Sequence, residues 1–190
     1  MIWNNKEYVT MLTRRGLIAG AATLAPITLA AAAPTTDPQL DRAAGAALRQ
    51  LLAESPTARE LNRTATAVLM FPKIVKVGFL LGGAYGEGGL LQGGKTIGYY
   101  NSAAASYGLQ AGVQWFGYAL FFMNAGALQY LEDSKGFEIG VGPSVVVVDA
   151  GMAKKYSSAT MTQDIYAFIF GQKGLMAGLG IEGSKITKTG

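Results

Sequence analysis

Residues 78–96 read GFLLGGAYGEGGLLQGGKT, and two incompatible folds are written into them. The last eight, Gly89-Leu90-Leu91-Gln92-Gly93-Gly94-Lys95-Thr96, match G-x-x-x-x-G-K-[ST], the loop whose backbone N–H groups cradle nucleotide phosphates. The valines at 145–148 followed by Asp149 even imitate the strand and magnesium-binding Asp that accompany it. That loop works only between a strand and a helix, because the helix N-terminus supplies the dipole and the free donors. Here Lys95 is followed by Thr96-Ile97-Gly98-Tyr99-Tyr100, a poor first helical turn and a good strand. The alternating strand–helix units that a parallel sheet needs are missing between Thr96 and Val145. The stretch therefore predicts a strand, a bend or bulge at residues 86–89 and a hairpin turning at Gly93-Gly94. Nucleotide binding is left as a distant alternative.

The neighbouring segments extend the β pattern. Residues 65–71 form an apolar strand that Pro72 should stop, and residues 75–84 form another. Residues 107–114 alternate between an apolar and a small, polar face, the period of a strand. Residues 115–123 continue as a buried strand after a bend at Gly117. Asn124 caps a short helix over residues 125–132. Residues 137–141 and 144–148, around Gly142-Pro143, predict a second hairpin. Residues 151–163 are a polar loop, and 165–170 with 175–183, around a turn at 171–174, predict a third hairpin. Spacings this short favour antiparallel pairing. On the N-terminal side, Asp37 caps a helix with Pro38 at its first position, and Ser55-Pro56 repeats the signal for a second helix to about residue 63. The first helix has one apolar face, read as packing on the core in preference to lying on a membrane. The predicted class is α+β: two N-terminal helices, then a mainly antiparallel sheet or partial barrel with one short inserted helix.

Residues 1–32 read as a twin-arginine-type signal peptide. Thr13-Arg14-Arg15-Gly16-Leu17-Ile18 precedes an apolar run, Pro26 and the small-residue cleavage site Ala30-Ala31-Ala32. An uncleaved anchor is the alternative. Residues 33–36 are a linker and 37–187 the domain. The expected location is periplasmic or exported, at the membrane periphery.

Composition excludes several chemistries. There is no Cys and no His, which removes disulfides, thiolate chemistry, the usual zinc sites and any His-based triad. Half the residues are apolar and 15% are charged, enough for a real core. Lys6, Arg14, Arg15 and Glu7 fall within 1–32, leaving 13 basic against 11 acidic groups, too mild an excess for a nucleic-acid binder. No catalytic residues, metal ligands or cofactors are expected.

The ordered set Ala67-Val68-Leu69-Met70-Phe71-Pro72-Lys73, Lys76-Val77-Gly78-Phe79, Gly82-Gly83-Ala84-Tyr85-Gly86-Glu87-Gly88, Tyr107-Gly108-Leu109-Gln110-Ala111-Gly112-Val113-Gln114, Gly174-Leu175-Met176-Ala177-Gly178 and Ile181-Glu182-Gly183-Ser184 resembles the SYLF domain family, the Ysc-type actin-regulator or lipid-binding domain. The likeness runs through most of residues 42–187 and is to the bacterial, exported branch. It implies a non-enzymatic module for anionic phospholipids with phosphoinositide-like headgroups. The alternative is a structural or interaction protein of the envelope that assembles through its sheet edges.

Lipid binding needs cations near the headgroup plane and apolar surface for the chains. The candidates are Arg59 and Arg63 before the first strand, Lys73 and Lys76 after Pro72, Lys95 on the hairpin tip, and Lys154 with Lys155 in the polar loop. Trp115, Phe116, Tyr118, Phe121 and Phe122 read as core in preference to a lipid cavity. Glu87 reads as a structural carboxylate, buried or in a turn and bonded to backbone N–H groups.

Overall fold

The computed structural model describes residues 36–134, 137–139, 141–148, 162–174 and 184–189. Two compact units divide the chain, Met1–Ala33 and Pro34–Gly190, and every described residue belongs to the second. The expected signal and most of the linker, nearly all of the polar loop, and the strand expected at 175–183 lie outside the described residues.

The helices start where short polar side chains meet prolines. Asp37 accepts from the N–H groups of Gln39 and Leu40 at 3.0 and 2.9 Å and opens α1, Pro38–Glu54. Ser55 ends α1 and its hydroxyl accepts from Ala58 N at 3.1 Å, opening α2, Pro56–Thr64. Asn124 accepts from Ala127 N at 2.8 Å and opens α3, Ala125–Asp133. Tyr99 ties α1 to the sheet: its hydroxyl accepts from Asp37 N at 3.0 Å and donates to Asp41 at 2.8 Å.

Between α2 and α3 the chain forms one hairpin of two very long strands, β1 (Ala67–Gln92) and β2 (Lys95–Phe122). Gly93 and Gly94 turn it with φ of +57° and +80°, the pair of positive values that a two-residue I′ turn requires. The phosphate-loop match is therefore a hairpin: Lys95 pairs with Gln92, and Thr96 continues into strand.

Pro72 does not stop the first strand, contrary to expectation. Phe71 faces Tyr118 and Ile74 faces Phe116, so Pro72 and Lys73 together oppose Gly117 in a bulge. Proline has no N–H for the ladder, and a bulge removes the need for one. Residues 86–89 likewise stay within the strand, with no bulge in their register. Twenty-six residues at about 3.3 Å each would span roughly 85 Å if straight, twice the roughly 40 Å across a domain of this size. The ribbon curls and crosses itself. A Cβ on Gly86 would lie 2.6 Å from Lys73 O, and one on Gly88 would lie 2.7 Å from Met70 O. Only glycine admits that approach.

The later strands pair differently from the sequence expectation. β3 (Phe137–Glu138) pairs with β6 (Lys185–Lys188), and β4 (Val145–Val148) runs parallel to β5 (Ile165–Gly174). The predicted hairpin at Gly142-Pro143 is absent because its two arms join different neighbours. Residues 171–174 are strand, not turn, and β6 pairs with β2. The order is β3-β6-β2-β5-β4, with β1 along the other side of β2, a mostly antiparallel half-barrel. Asp164 holds the junction of three elements. It accepts from Asn124 Nδ2 at 2.9 Å, and from Ser144 N and Oγ at 3.1 and 2.9 Å. These bonds, Asn124 first, hold its carboxyl below the ordinary Asp value.

Alternation along the strands gives the sheet two covered faces. Leu69, Phe71, Tyr118, Leu120 and Ile165 point into the half-barrel, closed by Leu128 and Leu131 of α3. Val68, Met70, Phe121 and Phe168 point the other way and are covered by Ala44 and Leu51 of α1 and Leu61 of α2. The apolar face of α1 thus packs on the core. Among the described residues no helix is long and apolar enough to cross a membrane.

Candidate functional site

β2 carries Trp115-Phe116-Gly117 at a level where both neighbouring strands bulge. On one side Pro72 and Lys73 oppose Gly117. On the other, Trp115 faces Lys173 and Gly117 faces Phe170, so Gly171 and Gln172 oppose Phe116 alone, with Gly171 at φ +60°. Gly117 leaves room for Phe170 here, since a Cβ would fall 2.4 Å from its ring. The two bulges and α1 enclose an open groove of about 390 Å³. Ala47, Pro72 and Phe170 supply apolar walls, Gln50 borders it, and Lys73 and Lys173 stand at its rim with no carboxylate among the lining residues.

Trp115 lies between the two lysines and is 39% exposed. Lys73 Nζ is 5.9 Å from the centroid of its ring, within cation–π range. Val77 and Val113 face each other two positions along the same ribbon and are also exposed. The period of two puts them on the face of Trp115. The result is a strip of exposed apolar side chains with cations beside it.

The predicted site residues divide. Lys73 is exposed and belongs to the groove. Lys76 is half-buried opposite Gln114, and alternation puts it on the interior side of the ribbon. Lys95 is exposed at the hairpin turn and does not line the groove. Arg59 serves the fold instead. Its guanidinium donates to Leu52 O at 3.0 Å and Ala53 O at 3.5 Å, satisfying carbonyls at the end of α1. Arg63 pairs with Glu60 at 3.1 Å on the exposed side of α2. Lys154 and Lys155 lie outside the described residues.

Lys173 is not among the sequence candidates; the bulge at Gly171-Gln172 sets it opposite Trp115 and into the groove lining. Among the aromatics, Phe116, Tyr118, Phe121 and Phe122 are core as expected, while Trp115 is half in water. Glu87 is exposed and accepts from Tyr85 Oη at 3.1 Å; it is neither buried nor at a turn. Toward the half-barrel interior, Tyr100 Oη, Gln114 Oε1 and Tyr118 Oη are buried without a hydrogen-bond partner among the described residues. Burial pushes the Tyr100 hydroxyl up to about 12, with Glu132 adding to it, and pushes Tyr118 well above its ordinary value. Among the described residues no group of acidic side chains is gathered to hold a metal ion.

The fold is a curled β-ribbon with an open groove beside its paired bulges. Residues 103–190 match the family model described as Ysc84, Las17-binding protein actin regulator, which supports the SYLF-type resemblance. The match takes in the β2 and β5 walls of the groove, with Trp115, Phe170 and Lys173, while Ala47 and Lys73 precede it. No curated protein matches the chain.

Proposed function

We propose that the protein is a non-enzymatic module that binds anionic phospholipids, phosphoinositide-like headgroups included. It would act at a membrane surface of the cell envelope, as an exported or periplasmic protein held at the periphery. The observation that carries the reading is Trp115 exposed between Lys73 and Lys173 on a face that also exposes Val77 and Val113. Tryptophan is favoured at the membrane–water boundary, where its ring is half apolar and half polar. Each lysine close to an anionic surface contributes about 1 kcal/mol, so two give roughly a thirtyfold preference over a neutral surface.

Sedimentation of the full chain with vesicles tests this. Binding should rise with the phosphatidylglycerol fraction, fall as salt shortens the Debye length, and fall again in Lys73→Glu and Lys173→Glu. Equal binding to neutral phosphatidylcholine vesicles would refute it. The family description names a protein-binding role instead. Concentration-dependent oligomers with no lipid preference would favour that class, an interaction module of the envelope.

A further inference from the structure

We propose that the groove between α1 and the paired bulges receives an acyl chain of a single bound phospholipid. Its phosphate would sit between Lys73 and Lys173, with Trp115 at the boundary between them. The inference rests on the lipid reading above and goes further, since adsorption to a surface requires only an exposed strip and some cations. Here the strip opens into a groove of about 390 Å³, within the range of pockets that take a small molecule.

The chemistry of the lining selects the occupant. Ala47, Pro72 and Phe170 give it apolar walls, and the charged residues of its lining are the exposed Lys73 and Lys173. A free anion would pair with the lysines and leave the apolar walls in water. A neutral hydrocarbon would cover the walls and leave both ammonium groups unneutralised. An amphiphile with an anionic head satisfies both at once, with charge on the cations and methylenes on the walls. Among the described residues that line the groove there is no carboxylate to repel it.

The groove is also built, not incidental. Gly117 has no Cβ, so Phe170 can lie against the strand, and the bulges at Pro72-Lys73 and Gly171-Gln172 reverse the alternation that would otherwise turn Lys73 and Lys173 away from Trp115.

The chain contains two tryptophans, so Trp3→Phe in the full chain leaves Trp115 as the sole reporter. Monomeric dihexanoyl phosphatidylglycerol, kept below its micelle concentration, is titrated against glycerol 3-phosphate and inorganic phosphate. The lipid should shift Trp115 emission to the blue, saturably, and bind at least tenfold more tightly than either headgroup probe. Ala47→Leu narrows the groove from α1 and should weaken the lipid roughly tenfold, the equivalent of excluding about two methylenes. Gln50→Glu, at an exposed position that folding tolerates, places a carboxylate on the groove and should weaken the lipid by repelling its anionic head. Lipid and glycerol 3-phosphate binding equally, or both variants binding lipid unchanged, would overturn the proposal while anionic vesicles still sediment the unmodified protein. Failure of those vesicles to sediment it would instead remove the lipid reading beneath it. A lipid-free dimer that buries Trp115 would assign the groove to a second copy and overturn the proposal as well.

Discussion

Gly88→Ala tests whether the long ribbon really crosses itself. Gly88 and Gly83 both lie in line in β1, and neither has a positive φ. In the sequence they are equivalent members of one glycine-rich run. In the structure they are opposites. A Cβ on Gly83 meets nothing closer than Ala104 O at 3.4 Å, an ordinary contact. A Cβ on Gly88 meets Met70 O at 2.7 Å and Phe71 Cδ1 at 2.6 Å, and the first of these is backbone that a rotamer change does not move. Both variants restrict the unfolded chain and gain about 0.4–1 kcal/mol from that. Gly88→Ala also pays for overpacking, about 1–3 kcal/mol and at the upper end where backbone must shift. The net expectation is a Gly83→Ala protein as stable as the original or slightly more so. Gly88→Ala should be about 2–3 kcal/mol less stable than Gly83→Ala, or roughly 4–12 °C lower in Tm for a domain of this size. Urea unfolding followed by tyrosine fluorescence and circular dichroism gives the comparison, and an unchanged m-value shows that the unfolded states match. If the two variants agree within about 0.5 kcal/mol, the strands do not cross at this point and residues 86–89 are the open bend that the sequence suggests.

Tyr118→Phe should stabilise the fold by about 1 kcal/mol in chemical denaturation, because the hydroxyl is buried without a partner among the described residues and regains water on unfolding; a loss of stability would show that the hydroxyl is satisfied. Tyr100 and Tyr118 have native values raised above 10, so their contribution is complete below pH 10 and is lost as pH rises toward about 12 for Tyr100. Replacing either with Phe should move the alkaline unfolding midpoint upward. Asp164 has the opposite sign: its lowered value stabilises the fold above the unfolded value near 3.8 and is lost as pH falls through the native one. Asp164→Ala should cost about 1–2 kcal/mol at pH 7, where its bonds to Asn124 and Ser144 are exposed and screened, and less at pH 2–3. Arg59→Ala should lower stability by about 1 kcal/mol through the freed α1 carbonyls and leave vesicle binding unchanged, whereas Lys73→Ala should do the reverse.

The helix starts were legible because each rests on local chemistry. Asp37-Pro38, Ser55-Pro56 and Asn124 need only their next few residues, and all three cap as expected. The Gly93-Gly94 turn was legible for the same reason. The pairing of the later strands was not. Val145–Val148 reads as a hairpin arm because Gly142-Pro143 stands beside it, yet Ser144 and Asp164 hold it parallel to β5 across 20 residues of separation. The glycines of 82–89 were readable as backbone geometry, but their partners, Met70 and Lys73, lie on the same strand about 15 residues earlier. Only the curl brings them together.

The groove was hidden by a subtler effect, the loss of parity at a bulge. Along β1, Phe71 points into the half-barrel, and strict alternation would send Lys73 the same way, into the core beside Tyr118. The extra residue at Pro72-Lys73 resets the count, so Ile74 takes the core position and Lys73 reaches the Trp115 ring on the opposite face. Along β5, Ile165, Ala167 and Ile169 point inward, and alternation would put Lys173 inward too. The bulge at Gly171-Gln172 reverses it and sets Lys173 opposite Trp115. Two independent irregularities thus move two lysines out of an apolar interior and onto one tryptophan. Restoring regular pairing at either place would bury an ammonium group without a partner, at a cost of several kcal/mol. The bulges are therefore required by the sequence once these lysines are present. They also open the space between β1, β5 and α1, so the features that keep the lysines out of the core are the same ones that form the groove.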